Sequence, residues 1–351
     1  MNNLKVILDS LQGKSFEFLK KNCEFTIKEN DDLYMLSFNR KNDLNDDIVR
    51  CVNGIILEKE TNKLVHYAFS KAYEGLNEEE GEEPYLGELG NFRAELIIEG
   101  TLIKVFYHNE KWNIGTSRNI DAVYSYWGSD KSFKELFLQT AEDKGLDLDS
   151  LDKNCCYSYI LQHSEVCIGY DSVYDGIWPL NKINLDTLEE TLYVPTYRDN
   201  PQIEDLRNQM SYNTNFMLIT ETGKRIKMLS KEYKHAKALL NNNPSVKWTC
   251  LEILKDQKSH EFIKYFPSKS PILDEVNSKL RYTIEELHRL YFDRFIKKIR
   301  VDMPYKYRKI IYNLHGNFKF NKIKTTKQVI ANYLIELDTK TLYWLLDLAS
   351  V

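Results

Sequence analysis

The feature that most constrains this chain is a change of apolar period near residue 231. Upstream, from about Tyr34 to Trp127, short runs rich in Ile, Val, Tyr and Phe follow one another: "LYMLSFN", "CVNGIILEK", "KLVHYAFS", "AELIIEG", "TLIKVFYHN" and "KWNIGTS". Turn formers such as Lys59–Asn62 and Asn109-Glu110 separate them, which predicts β-strands joined as antiparallel hairpins. Strands are expected again in "CCYSYILQH", "VCIGYDSVYDGIWPL" and "NTNFMLITETGKRIKMLS". Beyond Lys231 the apolar residues recur at three and four: "KEYKHAKALL", "SHEFIKYFP", "ILDEVNSKLRYTIEELHRLYFDRFIKKI" and "TTKQVIANYLIELDTKTLYWLLDLAS" all predict helices. Residues 1–30 also read as helical, through Leu4, Ile7, Leu8, Leu11, Phe16, Phe18 and Leu19. "SFKELFLQTAEDKG" predicts a helix with Ser132 as N-cap, Glu135 closing a capping box and Gly145 as its stop. The expected fold is α+β, with an antiparallel-sheet domain and N-terminal helix over residues 1–240 and a helical, basic domain over 241–351.

A net charge of −4 conceals an uneven distribution. Gly223 to Ile330 holds 25 Lys and Arg against 10 Asp and Glu, so that stretch is +15 and the remainder −19. Such asymmetry points a C-terminal half toward a polyanion. In "FDRFIKKIR" (Phe292 to Arg300) a continuous helix would place Arg294, Lys297 and Lys298 on one face and turn Phe295 and Ile299 to the core. "PYKYRK" extends the strip to Lys309, with tyrosines placed to stack on unpaired bases. Arg294, Lys297, Lys298 and Lys309 are therefore the candidate nucleic-acid-binding residues, with RNA the expected partner. The acidic run "NEEEGEEP" (Asn77 to Pro84) reads as a solvated loop.

Other chemistries are absent from the pattern. Six Cys without a C-x-x-C pair fit neither a zinc site nor a disulfide framework, and predict reduced thiols in a cytoplasmic setting. No apolar run approaches the roughly 20 residues of a membrane span, so no membrane partner is expected. Phosphate-binding loops, dinucleotide fingerprints, zinc-protease helices and nucleophile elbows have no match. His163 reads as a satisfied or exposed histidine, "DSVYDG" (Asp171 to Gly176) as a surface turn, and Trp112, Trp127 and Trp178 as packing residues.

The stretch "IIEGTLIKVFYHNEKWNIGTSR" (Ile97 to Arg118) carries a sharper signal. Its Glu99-Gly100 pair, the following β-hairpin and "GTSRNID" stand in an order and spacing that resemble the RNA ligases of the nucleotidyltransferase superfamily, phage- and virus-type enzymes in particular. The resemblance extends over roughly Val49 to Tyr233. It implies a ligase-like sheet domain, ATP and Mg2+ as cofactors if the chain is active, and candidate nucleotide- or phosphate-binding roles for Glu99, Lys104, Arg118 and Lys227. Ser230 and Tyr233 also fit the last motif.

The same resemblance exposes departures. The ligase nucleophile is a lysine two residues before the acidic residue, and here that position is Ile97. Asn53 stands at an arginine position before Gly54, Ile160 at the ribose-binding acid, Thr214-Asn215 at a metal-binding Glu-Gly pair, and Leu229 at the second lysine of a pair that begins with Lys227. A covalent lysyl-nucleotide needs an unprotonated amine, and Mg2+ needs hard carboxylate oxygens; no catalytic residue or metal ligand is therefore assigned. Three function classes stay open: an inactive RNA- or nucleotide-binding module, an active transferase with a displaced nucleophile for which Lys104 is the nearest lysine, and a structural or assembly protein of a large DNA virus. The Asn-, Lys- and Ile-rich composition fits the AT-rich genome of such a virus and viral protein partners.

Overall fold

The computed structural model describes residues 2–74, 90–166, 169, 171, 174–194 and 196–348. The acidic run 77–84 lies outside them, as do two positions of the 171–176 turn. The chain divides into two compact units, Met1–Lys237 and Ala238–Val351. The first contains, in order, α1 (Asn2–Leu11), α2 (Phe16–Asn22), β1 (Thr26–Glu29), β2 (Leu33–Ser37), α3 (Asp47–Cys51), β3 (Asn53–Glu58), β4 (Leu64–His66), β5 (Tyr73–Glu74), β6 (Phe92–Leu96), β7 (Thr101–His108), β8 (Lys111–Thr116) and α4 (Phe133–Asp143). It continues with β9 (Cys155–Gln162), β10 (Gly176–Asn184), β11 (Glu190–Leu192), β12 (Arg198–Asp199), α5 (Ile203–Arg207), β13 (Phe216–Thr220) and β14 (Arg225–Met228), and α6 (Lys231–Leu239) crosses the division.

Three sheets form the first unit. Their strand orders are β1-β2-β3-β4, β11-β10-β9-β7-β8 and β12-β6-β13-β14-β5. All described pairings are antiparallel except the short parallel contact of β14 with β5. Three apolar clusters form the core. The first packs Tyr34, Ile55 and Leu57 against Leu4, Ile7 and Leu19 of the N-terminal helices and against Phe106, Cys156 and Ile183 of the second sheet. The second packs Ile103, Val105 and Tyr159 against Leu136 and Phe137 of α4, and the third centres on Phe216, Leu218 and Ile226.

Local chemistry fixes these elements. Asn109 and Glu110 close the β7–β8 hairpin at φ of 51° and 60°, the pair of left-handed residues that matches the twist of a two-residue hairpin. Ser132 and Glu135 form the reciprocal capping box of α4, and Gly145 follows its end at φ 69°. Two expectations are corrected here. Residues 26–29 are strand β1 rather than helix, because Thr26–Glu29 completes an edge beside β2. Among the described residues of the expected strand over Val166 to Leu180, pairing with β9 begins at Gly176, opposite Gln162.

The second unit is helical: α7 (Val246–Lys255), α8 (Ser259–Tyr265), α9 (Ser270–Tyr291), α10 (Tyr305–Asn321), α11 (Lys327–Glu336) and α12 (Thr339–Leu345). Leu273, Val276, Leu280, Thr283, Leu287 and Leu290 form a buried stripe along α9 at spacings of three and four. That periodicity ends at Tyr291. Residues Phe292–Ile296 form a π-helical turn, Lys297 N–H reaches back to the Phe292 carbonyl at 3.0 Å, and Lys298 is left-handed at φ 59°. A wider turn adds a residue and rotates everything after it. The continuous helix expected to carry Arg294, Lys297 and Lys298 on one face is thus interrupted, although all three are exposed, and Ile299, expected in the core, is half exposed. Tyr307, expected to be free for stacking, is buried, whereas Tyr305 is 82% exposed.

Candidate functional site

A cavity of about 410 Å³ opens within the first unit, where the segment leaving β6 meets the ends of β3, β8, β9 and β14. Of the positions singled out by motif spacing, Asn53, Ile97, Glu99, Gly100, Arg118, Ile160, Lys227, Leu229 and Tyr233 line it, whereas Gly54, Lys104, Thr214, Asn215 and Ser230 do not. The convergence follows from register. Met217 of β13 pairs with both Glu95 of β6 and Lys227 of β14, so the Lys227 backbone lies two strands from the segment that ends at Glu99. Ile97 N–H then donates to the Asn215 carbonyl at 2.8 Å, which holds this residue beside the sheet.

The polar groups of this cavity are unevenly satisfied. The Tyr233 hydroxyl donates to Glu99 Oε2 at 2.5 Å, tying α6 to the β6–β7 connection across 134 residues. Glu95 is buried and accepts from Arg93 Nε at 3.0 Å. The Lys227 ammonium has no hydrogen bond or ion pair among the described residues. Burial holds its ammonium below the usual lysine range, Glu74 and Glu99 pull it back up, and Lys237 and Lys71 push it further down. Arg225 is lowered by burial in the same way and lies 3.9 Å over the Phe69 ring. Arg118 is exposed, its guanidinium 6.0 Å from the Phe38 ring, while its carbonyl accepts from Lys28 Nζ at 2.7 Å. Lys71, Arg118, Arg225, Lys227 and Lys237 thus face two carboxylates, Glu95 and Glu99, and the cavity favours an anion. Lys71, Arg225 and Lys237 were not singled out from sequence. The signal for Arg225 was present, since it stands two residues from Lys227 on β14 and shares its face.

Lys104 lies elsewhere. It is fully buried behind β3, where its ammonium donates to the Gly54 carbonyl and sits 3.7 Å from Met35 Sδ. Burial drives its pKa down to about 7, Cys156 opposes this, and Arg118 adds to it. His66, also fully buried, donates from Nε2 to the Tyr157 carbonyl at 3.0 Å; burial and then Lys104 push its pKa down to about 3. Gly54 makes room for this arrangement: it has φ 76°, and a Cβ there would meet Lys104 Nζ at 2.5 Å. The structure therefore brings Glu99, Arg118 and Lys227 together and keeps Lys104 apart.

The positions that the ligase resemblance aligns with metal ligands, Thr214 and Asn215, supply no carboxylate for Mg2+. Thr214 borders a separate hollow on the other side of Leu96, Ile97 and Ile98, with Gln162, Trp178, Tyr197, Gln209 and Asn213. Asn215 Oδ1 is occupied by Ser230 N–H at 2.7 Å. Among the described residues no group of three or more His, Cys, Asp or Glu is placed to hold a metal ion, and hydroxyl and amide groups alone are poor partners for Mg2+. Of the three tryptophans expected to pack, Trp112 and Trp127 lie against the second core, whereas Trp178 is 47% exposed on this hollow. His163 is buried and 3.7 Å from Asp175.

Comparisons with known proteins bear on this geometry only coarsely. Two solved structures are ligases: "Putative ATP-dependent DNA ligase from Aquifex aeolicus", at TM-score 0.42 and 13% identity over 86% of this chain and 79% of that one, and "Archaeal ATP-dependent RNA ligase - form 2", at TM-score 0.41 and 12% identity over 69% and 67%. Likenesses this loose carry no assignment. In sequence, the chain is similar to two proteins described as "Immediate-early protein ICP-46 homolog". That of Invertebrate iridescent virus 6 is 24% identical over 308 residues, 74% of this chain and 68% of the relative. That of Invertebrate iridescent virus 3 is 26% identical over 277 residues, 71% of this chain and 61% of the relative. No family model matches.

Proposed function

We propose that the first unit is a ligase-like, non-catalytic module that binds the phosphate of a nucleotide or of an RNA end in the 410 Å³ cavity. The observation that carries this reading is that Ile97 lines the same cavity as Arg118 and Lys227. The cations suited to a phosphate are in place, and the group that would attack it is a hydrocarbon. Incubation with labelled ATP or GTP followed by a denaturing gel is expected to show no adduct. Ile97→Lys alone is expected to remain without ligation, because the aligned metal-binding carboxylate is also replaced, by Thr214. A labelled band lost on Lys104→Ala would overturn the reading and favour a displaced nucleophile; its pKa of about 7 supplies a neutral amine, but the amine is enclosed and faces a carbonyl.

We further propose that the second unit supplies non-specific affinity for RNA. Between residues 292 and 327 eleven Lys and Arg stand against two Asp, and Tyr305 and Phe320 are 82% and 86% exposed among them. Exposed cations interleaved with aromatic rings suit the backbone and bases of a single strand. A virus as source and viral proteins as partners follow the two curated relatives, and a cytoplasmic site of action follows the free cysteines Cys23, Cys51, Cys155, Cys156 and Cys250. No helix among the described residues is long and apolar enough to cross a membrane. Failure to bind RNA at about 50 mM salt would favour the assembly-protein reading instead.

A further inference from the structure

The first unit has another cavity, of about 560 Å³, which shares Ser70, Lys71 and Arg225 with the one above. Its remaining wall comes from the first turn of α1, from α3, and from the turn Glu221–Lys224 between β13 and β14. The residue that demands explanation is Arg50. It is 8% exposed, its guanidinium carbon lies 3.4 Å over the Tyr73 ring, and one terminal nitrogen donates to the Lys71 and Ala72 carbonyls at 3.2 and 3.1 Å. Its Nε is buried without a hydrogen-bond partner among the described residues. A guanidinium is always charged and offers five donors in a fixed fork, and a buried charged donor left unmatched is costly.

The surroundings do not supply the missing acceptor. Asp47 takes the Tyr73 hydroxyl at 2.5 Å and pairs with Lys224 at 3.6 Å; Glu221 takes Asn91 Nδ2 at 2.8 Å. Lys71 pairs with Glu74 at 2.9 Å. Both carboxylates on the wall are thus engaged, and neither supplies the acceptor that Arg50 Nε lacks. The ten-residue helix α1 presents its first turn to the same space, where unpaired backbone N–H groups favour negative charge.

We propose that this cavity is a second anion site, which takes a phosphoryl group beyond the one held at Arg118 and Lys227. The inference rests on the nucleotide reading above for the class of its ligand. A shared wall at Lys71 and Arg225 lets one ligand reach both cavities, so the second phosphoryl group belongs either to the polyphosphate tail of a nucleotide or to the next phosphodiester of a strand.

Calorimetric titration of the full chain with inorganic pyrophosphate tests the site without the nucleotide. Arg50→Gln is expected to weaken binding by about tenfold or more, as loss of a charge-assisted donor does, and Lys224→Ala to weaken it by a smaller factor, while Arg118→Ala changes it by less than about twofold. Arg50→Lys, which keeps the charge without the fork, falls between. Should Arg50→Gln fail to fold, Lys224→Ala decides, since its side chain is 43% exposed. No pyrophosphate binding by the wild type, or loss only in Arg118→Ala, overturns the proposal. A parallel titration with fluorescent AMP reports on the main cavity alone, so its failure sinks the nucleotide reading and leaves the pyrophosphate result standing. Tighter binding of ATP than AMP that vanishes in Arg50→Gln assigns the tail; tighter binding of a 5′-phosphorylated dinucleotide that vanishes likewise assigns the strand. If neither exceeds AMP, the second site is not part of the ligand path and the proposal fails.

Discussion

The two units treat positive charge in opposite ways. In the first, Lys104, Arg225 and Lys227 are drawn under cover, their pKa values lowered chiefly by burial. In the second, Lys298, Arg300 and Lys309 stand in solvent, where salt screens a charge within about 8 Å at physiological ionic strength. A covered cation is costly to keep and interacts with whatever fills one small volume; a displayed cation costs little and acts on any polyanion that approaches. The contrast separates selection from attraction, and the two should respond differently to pH, salt and substitution.

The largest expected effect concerns Lys104. Its folded pKa of about 7 lies below the ordinary lysine value of 10.5. The unfolded chain therefore keeps a proton that the folded chain sheds between pH 7 and 10. Stability due to this group rises with pH across that window, and below pH 7 the penalty is complete and flat. Lys104→Met should abolish the slope, an effect on the order of 4 kcal/mol over the whole window. Urea midpoints of both proteins at pH 7, 8 and 9 check it. The difference between the two matters, because burial also raises Cys156 to about 12 and thiol titration in the unfolded state acts in the other direction. Parallel curves would mean that Lys104 is charged in the fold.

Next in size is the display surface. Lys297, Lys298 and Lys309 changed together to Glu should lower RNA affinity by about 100-fold at roughly 50 mM salt and flatten the dependence of log K on log salt. Thermal stability should barely move, since exposed charges contribute little to folding. Anisotropy titrations at several salt concentrations measure both slope and intercept; an unchanged slope removes the strip from the interface. Smaller again, Lys227→Ala should weaken nucleotide binding by about tenfold, with much less salt dependence, because its charge is partly screened from solvent already. A salt slope equal to that of the triple variant would erase the distinction between the units. Smallest is Ser132→Ala, which removes the hydroxyl that accepts from Glu135 N–H and leaves the reciprocal backbone contact with the Glu135 carboxylate; it should cost about 1 kcal/mol, with no effect on either ligand, and a binding change there would mean that α4 communicates with a site.

The α+β architecture was legible because strand chemistry is local. The Asn109-Glu110 turn sets the β7–β8 register, and Ser132 with Glu135 announces α4. The order of the motifs was enough to bring Ile97 into one cavity with Glu99, Arg118 and Lys227. Other features were hidden for physical reasons. A π-turn adds one residue without altering composition, so the face assigned to Arg294, Lys297 and Lys298 rested on a helical phase that the chain abandons at Phe292. Lys104 looks like any strand lysine, and only the third dimension shows that β3 covers it. Arg50 belongs to a five-residue helix with no periodic signature, and Trp178 follows the alternation of β10 yet faces a hollow rather than a core.

The contact between Gly54 and Lys104 sets an order on how this chain can change through descent. Gly54 is held by two demands, its φ of 76° and the ammonium lying where a side chain would begin. Lys104 is held by one, the Gly54 carbonyl and the space beside it. A lineage can lose Lys104 first, exchanging it for a neutral side chain and keeping the glycine. The reverse order is harder, because a larger residue at 54 must adopt a left-handed backbone and push the lysine end aside in the same step. Among diverging relatives, chains with Gly54 and no lysine at 104 should therefore be commoner than chains with the lysine and no glycine.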